Sequence, residues 1–327
     1  MKQLSRAVIA GLIASAATIT ALPSYAETYI VATGAASNSL QGRSAARFAE
    51  ELQARLGEGD EVEFYADAQL GDEKELLQKL RLGTVQFTTI SSIMTNVAPE
   101  FALFDMPFLV QDREHLKAID REIVQTEFAP LAEKGGLHVI STWENGFRQI
   151  TNNVRPIDKP SDLDGLKIRT PSSEWRVKMF SEWGANPTPM SFSEVFVALQ
   201  TGTMDGQENP LTNIVGANFQ EVQKYLSLTG HVYSPSYLTT GTDTWNGLSD
   251  DVKSAVDEAA ASVQDWALAE GEKADDELIE KVRAAGVEVN EADKAAFIEA
   301  SKPIYDAFAE EVEGGGDLVS RAQALAK

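Results

Sequence analysis

The chain is 327 residues long and carries 50 acidic against 28 basic side chains, for a formal net charge of −22. This charge excludes nucleic acid and anionic membrane surfaces as partners, because both are negatively charged themselves. The lack of cysteine excludes disulfides, thiolate metal sites and thiol nucleophiles. An acidic surface of this kind is typical both of proteins from saline habitats and of ordinary acidic secreted proteins.

Residues 1–26 have the pattern of a secretory signal peptide. Lys2 and Arg6 form a positive start, residues 7–22 are apolar and rich in alanine, and residues 24–26 (Ser-Tyr-Ala) form a small-x-small cleavage site. We therefore predict a mature chain that begins at Glu27 and is located in a bacterial periplasm. The alternative is an uncleaved membrane anchor, which the shortness of the apolar run disfavours.

The first half of the mature chain alternates between strand and helix patterns. We predict strands at residues 28–33, 61–65 and 85–90, and helices at residues 44–56 and 72–82. This order predicts parallel strands joined by right-handed crossovers, and hence an α/β fold. Ligands of such sheets bind beyond the carboxyl ends of the strands.

A second α/β unit begins near Arg148. Its turn, strand and helix are predicted at residues 161–165, 166–169 and 173–183. Ser191 and Glu194 have the spacing of a capping box, which predicts a helix over residues 192–200. Pro210 suits the first turn of the helix that follows.

Residues 249–285 lack proline and predict one nearly continuous helix, roughly 55 Å long at 1.5 Å per residue. Its apolar side chains form two stripes about 100° apart around the axis, which predicts packing against two different bodies. The first stripe comprises Val252, Val256, Val263 and Trp266, and the second comprises Leu278 and Val282. The alternative is two helices with a kink at Gly271, because glycine is a weak helix former.

A helix that packs against two bodies implies two interwoven lobes. We assign residues 27–146 and 235–272 to lobe I, and residues 147–234 and 273–327 to lobe II.

The most informative chemistry lies in residues 166–171 and 205–210. Arg169 ends a strand-like run, and its planar guanidinium can hold a carboxylate through two parallel hydrogen bonds. Asn209 offers an amide directly before Pro210. These residues indicate a receptor for a small carboxylated solute.

Six short runs together carry a resemblance that extends over essentially the whole mature chain. They are residues 69–72 (QLGD), 145–149 (NGFRQ), 166–171 (LKIRTP), 189–195 (PMSFSEV), 198–202 (ALQTG) and 205–210 (DGQENP). In order and spacing they resemble the substrate-binding proteins of tripartite ATP-independent periplasmic (TRAP) transporters, of the DctP type. The resemblance implies a two-lobed periplasmic-binding-protein clamshell with a long helix spanning both lobes. It also implies a separate membrane permease, driven by an ion gradient, as the partner.

The resemblance further implies roles for individual residues of lobe II. Arg169 occupies the position that binds the ligand carboxylate through both ends of its guanidinium, and Arg148 matches a second arginine that faces the ligand. Asn209 matches the amide that helps to hold the same carboxylate, and Phe192 matches an aromatic position near the pocket. Arg148 could instead form a structural ion pair, and Asn209 could be a turn residue before proline. Asn213, one helical turn beyond Asn209, could face the cleft or the solvent.

On lobe I, the resemblance points to Gln69, Glu73, Ser91 and Ser92 as residues that shape the other end of the ligand. Glu73 could instead be only a favourable acid in the first turn of a helix. If Glu73 reaches the cleft, it accepts hydrogen bonds from hydroxyl groups and repels a second carboxylate, which favours a hydroxylated monoacid. Members that bind sialic acid tend to have an acid at the position of Ser91, so this chain departs from them.

Other classes of protein fit the sequence less well. A periplasmic hydrolase of acidic sugars is the main rival, but the chain lacks a Gly-x-Ser-x-Gly elbow and a His-Glu-x-x-His motif. The solute receptor of an ATP-driven importer and the receptor of a membrane sensor would have similar folds. We predict neither a metal nor a cofactor, and we expect a monomer.

Overall fold

The structure is a computed structural model that describes residues 27–326, so the predicted signal peptide lies outside the described residues. The strands in this range are β1 Thr28–Ala32, β2 Glu61–Tyr65, β3 Phe87–Ile90, β4 Leu137–Asn152, β5 Lys167–Thr170, β6 Asn186–Pro189, β7 Gly206–Pro210, β8 Tyr225–Leu228, β9 Tyr233–Gly241 and β10 Glu288–Glu291. The α-helices are α1 Leu40–Gln53, α2 Glu73–Arg81, α3 Arg113–Ile119, α4 Ala129–Lys134, α5 Glu174–Glu182, α6 Val195–Gln200, α7 Leu211–Gly216, α8 Thr242–Gly247, α9 Asp250–Ala284, α10 Lys294–Ala300, α11 Lys302–Glu311 and α12 Gly315–Ala324.

The strands form two sheet regions, which confirms the α/β clamshell. In the first region the order is β2-β1-β3-β9-β4, and β1 is parallel to both β2 and β3, as the β-α-β-α-β order predicts. In the second region β6, β5 and β7 follow one another in parallel, and β7 pairs antiparallel with β4. Strand β8 pairs with the other edge of this part of β4 and carries β10.

Strand β4 passes from one sheet region to the other. It pairs with β9 from Leu137 to Phe147 and with β7 from Arg148 onward. A register shift between Glu144 and Gly146 marks an irregularity just before this change of partner. Bulges of this kind bend a strand and redirect its side chains. The lobe boundary that we assign after residue 146 falls beside this irregularity.

The beginnings of the helices depend on which side chains cap them. Helix α1 begins four residues earlier than predicted, because the Ser39 hydroxyl accepts a hydrogen bond from the Gly42 amide. Helix α2 begins as predicted, with Asp72 and Glu75 forming a complete capping box. The capping box predicted at Ser191 is wrong, because the Ser191 hydroxyl donates to the Asp72 carboxylate instead.

Helix α9 is one continuous helix of 35 residues, so the alternative of two helices kinked at Gly271 is wrong. Its first apolar stripe, with Val256 and Val263, packs in a cluster with Trp143. Its second stripe, with Val282, packs against the cluster that lines α6 and α7. The two stripes therefore bind two different bodies, as predicted.

The C-terminal helices do not all pack against lobe II, to which we assign residues 273–327. Helix α11 does pack on α5, where the Trp175 and Phe308 rings lie 5.2 Å apart. Helix α12, however, packs against the 3₁₀-helix Pro99–Asp105, and the Ala322 carbonyl lies 2.7 Å from His115 Nε2. The buried side of α12 forms part of the same hydrophobic core cluster as this 3₁₀-helix, which explains the contact.

Gly271 allows α9 to approach the buried carboxylate of Glu144. A Cβ atom at position 271 would lie 2.6 Å from Glu144 Cγ. Glu144 is held there by Arg113, whose Nη2 donates to its Oε1 at 3.0 Å, and by the Tyr233 hydroxyl. The glycine therefore serves close packing and not a bend.

We expect Gly271→Ala to destabilise the protein by about 1 to 2 kcal/mol, because overpacking outweighs the gain in helix propensity. Urea unfolding measures this change. Gly247→Ala in α8 is the control, since a Cβ atom there meets nothing within 4 Å, and its effect should stay within about 0.5 kcal/mol. An unchanged or higher stability of Gly271→Ala would contradict this account of the α9 contact.

Candidate ligand-binding site

A cavity lies between the lobes, at the ends of the parallel strands. Its walls come from the loops after β1, β3 and β5, from the beginnings of α1 and α2, from the middle of β4 and from the junction of β7 with α7. The lining residues are Gly34, Ala35, Gln41, Glu73, Ser91, Ser92, Asn145, Arg148, Arg169, Pro171, Phe192, Asn209 and Asn213.

Arg169 is buried at the end of β5, and its guanidinium is fixed by a carbonyl group. Its Nε and Nη2 donate to the Met190 carbonyl oxygen at 2.9 and 2.6 Å. The Phe192 ring lies 6.0 Å from the guanidinium carbon. No carboxylate within residues 27–326 lies within salt-bridge distance of Arg169, and its Nη1 has no hydrogen-bond partner in that range. The side chain is therefore oriented, and part of it is left to face the cavity.

The charge of Arg169 persists despite its burial. Burial and the neighbouring Arg148 guanidinium lower the pKa of Arg169 to about 10, against the opposing effect of Glu208 and Glu73. At neutral pH the group remains protonated. Keeping this unpaired charge buried costs free energy, and an anionic ligand would offset that cost.

Arg148 lines the same cavity, but a carboxylate occupies most of its donors. Its Nε bonds to Glu208 Oε2, and its Nη2 donates to Glu208 Oε1 at 2.9 Å and to the Glu208 carbonyl at 2.6 Å. Nη2 also lies 3.2 Å from Asn209 Oδ1, and Nη1 lies 3.4 Å from Ser234 Oγ. The structural ion pair that we weighed as the alternative role of Arg148 is therefore present.

Glu208 is the centre of a larger buried ionic network. Arg176 Nη1 donates to Glu208 Oε2 at 2.7 Å, and Arg176 Nη2 donates to Asp105 Oδ1 at 2.6 Å. The Ser173 hydroxyl donates to the second oxygen of Asp105 at 2.5 Å. The two arginine charges hold the pKa of Glu208 well below its usual range, although burial alone would raise it.

His231 is a neutral member of this network. Its Nε2 lies 3.2 Å from Glu208 Oε2, and its Nδ1 lies 2.7 Å from the Thr229 hydroxyl oxygen. A neutral ring that donates from Nε2 and accepts at Nδ1 satisfies both contacts. Burial lowers the pKa of His231 to about 4, against the opposing effect of Glu208.

Three asparagines line the base of the cavity, and two of them, Asn145 and Asn213, are bonded to each other across the lobes. Asn145 Nδ2 donates to Ser91 Oγ at 3.1 Å, and Asn145 Oδ1 accepts from Asn213 Nδ2 at 3.1 Å. Asn209 Nδ2 donates to Gln207 Oε1 at 2.5 Å. Asn213 thus lies towards the cavity and not towards solvent, and its buried Oδ1 has no partner within the described residues.

Glu73 combines both roles that we considered for it. It is the first residue of α2, and its side chain also lines the cavity. Its Oε1 accepts the Ser91 amide at 2.9 Å. Burial raises the pKa of Glu73, against the opposing effects of the Ser91 amide, Gln41 and the Arg169 and Arg148 charges. Ser91 also uses its hydroxyl, which donates to the Pro235 carbonyl at 2.8 Å.

The remaining predicted residues separate into two groups. Phe192 lines the cavity and also packs on Phe219, with 5.6 Å between ring centroids. Gln69 is not brought to the cavity, because it lies exposed in the turn between β2 and α2. A ligand contact by Gln69 has no support in this arrangement.

The two lobes also meet across the opening of the cavity. The Ser191 hydroxyl donates to the Asp72 carboxylate, and Asn96 Nδ2 donates to the Ser172 carbonyl at 2.9 Å. These hydrogen bonds join segments that any opening of the clamshell would separate.

Several residues that build the site were not predicted from the sequence. Asn145 lies in a run that carried the family resemblance, but only Arg148 of that run received a role. Glu208 likewise lies in residues 205–210, directly before Asn209, but received no role. Asp105 and Arg176 had no local signal, because their pairing depends on the tertiary fold.

Two features are absent from residues 27–326. No helix there has the length and apolar content that crossing a bilayer requires. That part of the chain also contains no group of three or more histidines and acids that could hold a metal ion.

The pKa of His231 gives the stability a pH dependence. The unfolded state binds a proton below pH 6.5 and the folded state only below about pH 4, so stability is lost as the pH falls through this interval, by up to about 3 kcal/mol. We expect His231→Gln, which keeps a donor towards Glu208, to flatten the curve between pH 6.5 and 4. Urea unfolding at a series of pH values measures both proteins, and parallel curves would contradict the assignment.

Comparison with known proteins identifies the family. The family model described as bacterial extracellular solute-binding protein, family 7, matches residues 31–311. The 2,3-diketo-L-gulonate-binding periplasmic protein YiaO of Escherichia coli is 35% identical over 280 residues, which are 84% of this chain and 85% of that protein.

Solved structures agree with this match. A TRAP periplasmic solute-binding protein from Roseobacter denitrificans with bound L-galactonate has a TM-score of 0.84 at 34% identity, over 92% of this chain and 99% of that one. The sugar acid binding protein from Advenella mimigardefordensis in complex with galactonate has a TM-score of 0.88 at 28% identity, with the same coverage. The chain therefore belongs to family 7 of the bacterial extracellular solute-binding proteins, the solute-binding proteins of TRAP transporters.

Proposed function

We propose that this protein is a periplasmic receptor that binds a small hydroxylated organic acid between its lobes and delivers it to a TRAP-type permease. The observation that carries the proposal is Arg169, which is buried, oriented by the Met190 carbonyl and free of any carboxylate in the described residues. An oriented and unneutralised guanidinium in a cavity is suited to a carboxylate ligand.

Binding and closure are coupled in this mechanism. A carboxylate docks on Arg169 in the open clamshell, and its polar remainder then meets Glu73 and Ser91 of lobe I. Closure excludes water, and the lower effective dielectric strengthens the ion pair. The ligand drives closure only through its higher affinity for the closed state.

The ligand class follows from the charges that face the cavity. Arg148 and Arg176 are matched by Glu208 and Asp105, so Arg169 is left to pair with one carboxylate. Glu73 accepts hydrogen bonds at the lobe I side and disfavours a second negative charge there. Galactonate, bound by two of the similar structures, has this combination of one carboxylate and several hydroxyl groups.

The partners are inferred from the family. TRAP solute-binding proteins work with integral-membrane permease subunits, and the predicted signal peptide fits export to the periplasm. An ATP-driven importer or a membrane sensor could use a similar receptor, and the neighbouring genes would distinguish them. A hydrolase would convert its ligand, whereas this receptor should release it unchanged after incubation.

A thermal-shift screen of organic acids tests the ligand class. An acid at 100 times its dissociation constant should stabilise the protein by about 2.7 kcal/mol. We expect aldonates and uronates to give larger shifts than C4-dicarboxylates. A clear preference for uncharged sugars would contradict the proposal.

The bidentate role of Arg169 is tested by substitution. We expect Arg169→Ala to weaken binding of the acid found in the screen by several kcal/mol, and Arg169→Lys by most of that amount, since lysine lacks the planar fork. Isothermal titration measures both variants. The surface change Arg283→Lys is the control, and near-normal binding by Arg169→Lys would contradict a bidentate contact.

Glu73 is tested through selectivity. We expect Glu73→Gln to lower the preference for galactonate over succinate by about tenfold or more, because the amide no longer repels a second carboxylate. Isothermal titration with both acids gives the ratio. The exposed Glu58→Gln serves as the control, and an unchanged ratio would remove Glu73 from the recognition of the ligand.

A further inference from the structure

A second cavity adjoins the ligand site and opens outward. It is lined by both lobes. It shares Arg169, Glu73 and Phe192 with the ligand site. Its outer wall on lobe I is the exposed face of α2, with Lys74 and Arg81. We call this cavity the mouth.

The basic residues of the mouth are not neutralised by contact. Lys74 and Arg81 have no carboxylate within 4 Å in residues 27–326, and Arg81 Nε instead donates to the Gly135 carbonyl at 2.9 Å. Several surface arginines elsewhere are paired: Arg47 and Arg55, for example, both lie next to Glu51.

The acids of the mouth, in contrast, are engaged by hydrogen-bond donors. Asp72 accepts the amides of Lys74 and Glu75 and the hydroxyl of Ser191. Glu73 accepts the Ser91 amide. Each of these donors reduces the negative potential that the carboxylate presents to an approaching ion.

Lys74 and Arg81 lie on the same side of α2, because residues seven positions apart are almost two helical turns apart. Gln78 lies between them and also lines the mouth. At physiological ionic strength the Debye length is about 8 Å, so the many acids on distant surfaces are screened while these cations are not. The lining of the mouth contains three basic side chains (Lys74, Arg81 and Arg169) and two acidic ones (Asp72 and Glu73), so its formal charge is opposite in sign to that of the whole chain.

We infer that the α2 face of the mouth is an anion-capture site, which holds the carboxylate of an incoming organic acid before it reaches Arg169. The identity of that anion rests on the proposed function. The positive potential itself does not, and it can be measured without any ligand. An unbroken series of cations, from Lys74 and Arg81 to Arg169, would then lead from solvent to the buried site.

A single introduced thiol tests the potential, because the natural chain has no cysteine. Gln78→Cys places a thiol between the two cations, and Ser254→Cys places one on the exposed face of α9, beside Glu258. Each thiol is reacted with the dianionic Ellman reagent and with the neutral 4,4′-dithiodipyridine. The ratio of the two rates cancels the fraction of thiolate, and following this ratio as the salt concentration changes removes the constant contribution of steric access.

At position 78 we expect this rate ratio to fall by about threefold or more between about 10 and 300 mM salt, as screening removes the attraction. At position 254 the ratio should rise over the same range. Adding Lys74→Gln and Arg81→Gln to the position 78 variant should abolish its salt dependence or reverse it. The capture site would be overturned if the ratio at position 78 rises with salt, or if its salt dependence is unchanged by the two substitutions.

Failure here is distinguishable from failure of the proposed function. If the thermal-shift screen finds no organic acid while the rate ratio behaves as expected, the ligand class is wrong and the anion-capture site stands. If an acid binds while the ratio rises with salt, the receptor function stands and the capture site is wrong.

Discussion

The buried carboxylate of Glu208 decides which arginine of the site is free. Two guanidinium groups, of Arg148 and Arg176, are bound to it, and the second is shared with Asp105. Removing one partner from such a buried network leaves an uncompensated charge, which typically costs 3–5 kcal/mol. Since Glu208 and Asp105 are bound to Arg148 and Arg176, Arg169 is left without a carboxylate partner in the described residues. Of the two arginines that line the cavity, Arg148 is therefore paired with a carboxylate of the protein, and Arg169 is not.

The scaffold gives this charge arrangement its fixed geometry. Strand β4 carries Asn145 and Arg148 on the two sides of its change of partner, so one strand contributes to both halves of the site. Helix α9 lies against that strand, and the lack of a side chain at Gly271 lets it approach Glu144. Any rotation of the lobes must therefore act on this packed junction, where irregular pairing and a buried ion pair with Arg113 coincide.

How much could be predicted from the sequence depended on whether the signal was local. Helix α2 has its capping acids next to it in the chain, and it was placed to within a residue; α9 was recognised as one helix from its length and its two stripes. The box at Ser191 had the same local pattern as that of α2, yet its hydroxyl bonds to the opposite lobe. The pairing of Arg176 with Asp105 crosses 71 positions, and no periodicity records it. Tertiary contacts thus determined the partners of these side chains, which the local sequence patterns did not specify.

Three consecutive residues at the beginning of α2 act in three directions. Asp72 binds Ser191 across the mouth, Glu73 reaches the ligand cavity and Lys74 lines the mouth. Successive helical residues point about 100° apart. A helix that begins at the edge of a cleft can therefore direct neighbouring side chains towards the opposite lobe, the interior and the solvent. One short helix thus brings together a contact to the opposite lobe, a carboxylate in the cavity and a cation in the mouth. The Asp72 capping box fixes where α2 begins, and with it the direction in which the side chains of Glu73 and Lys74 point.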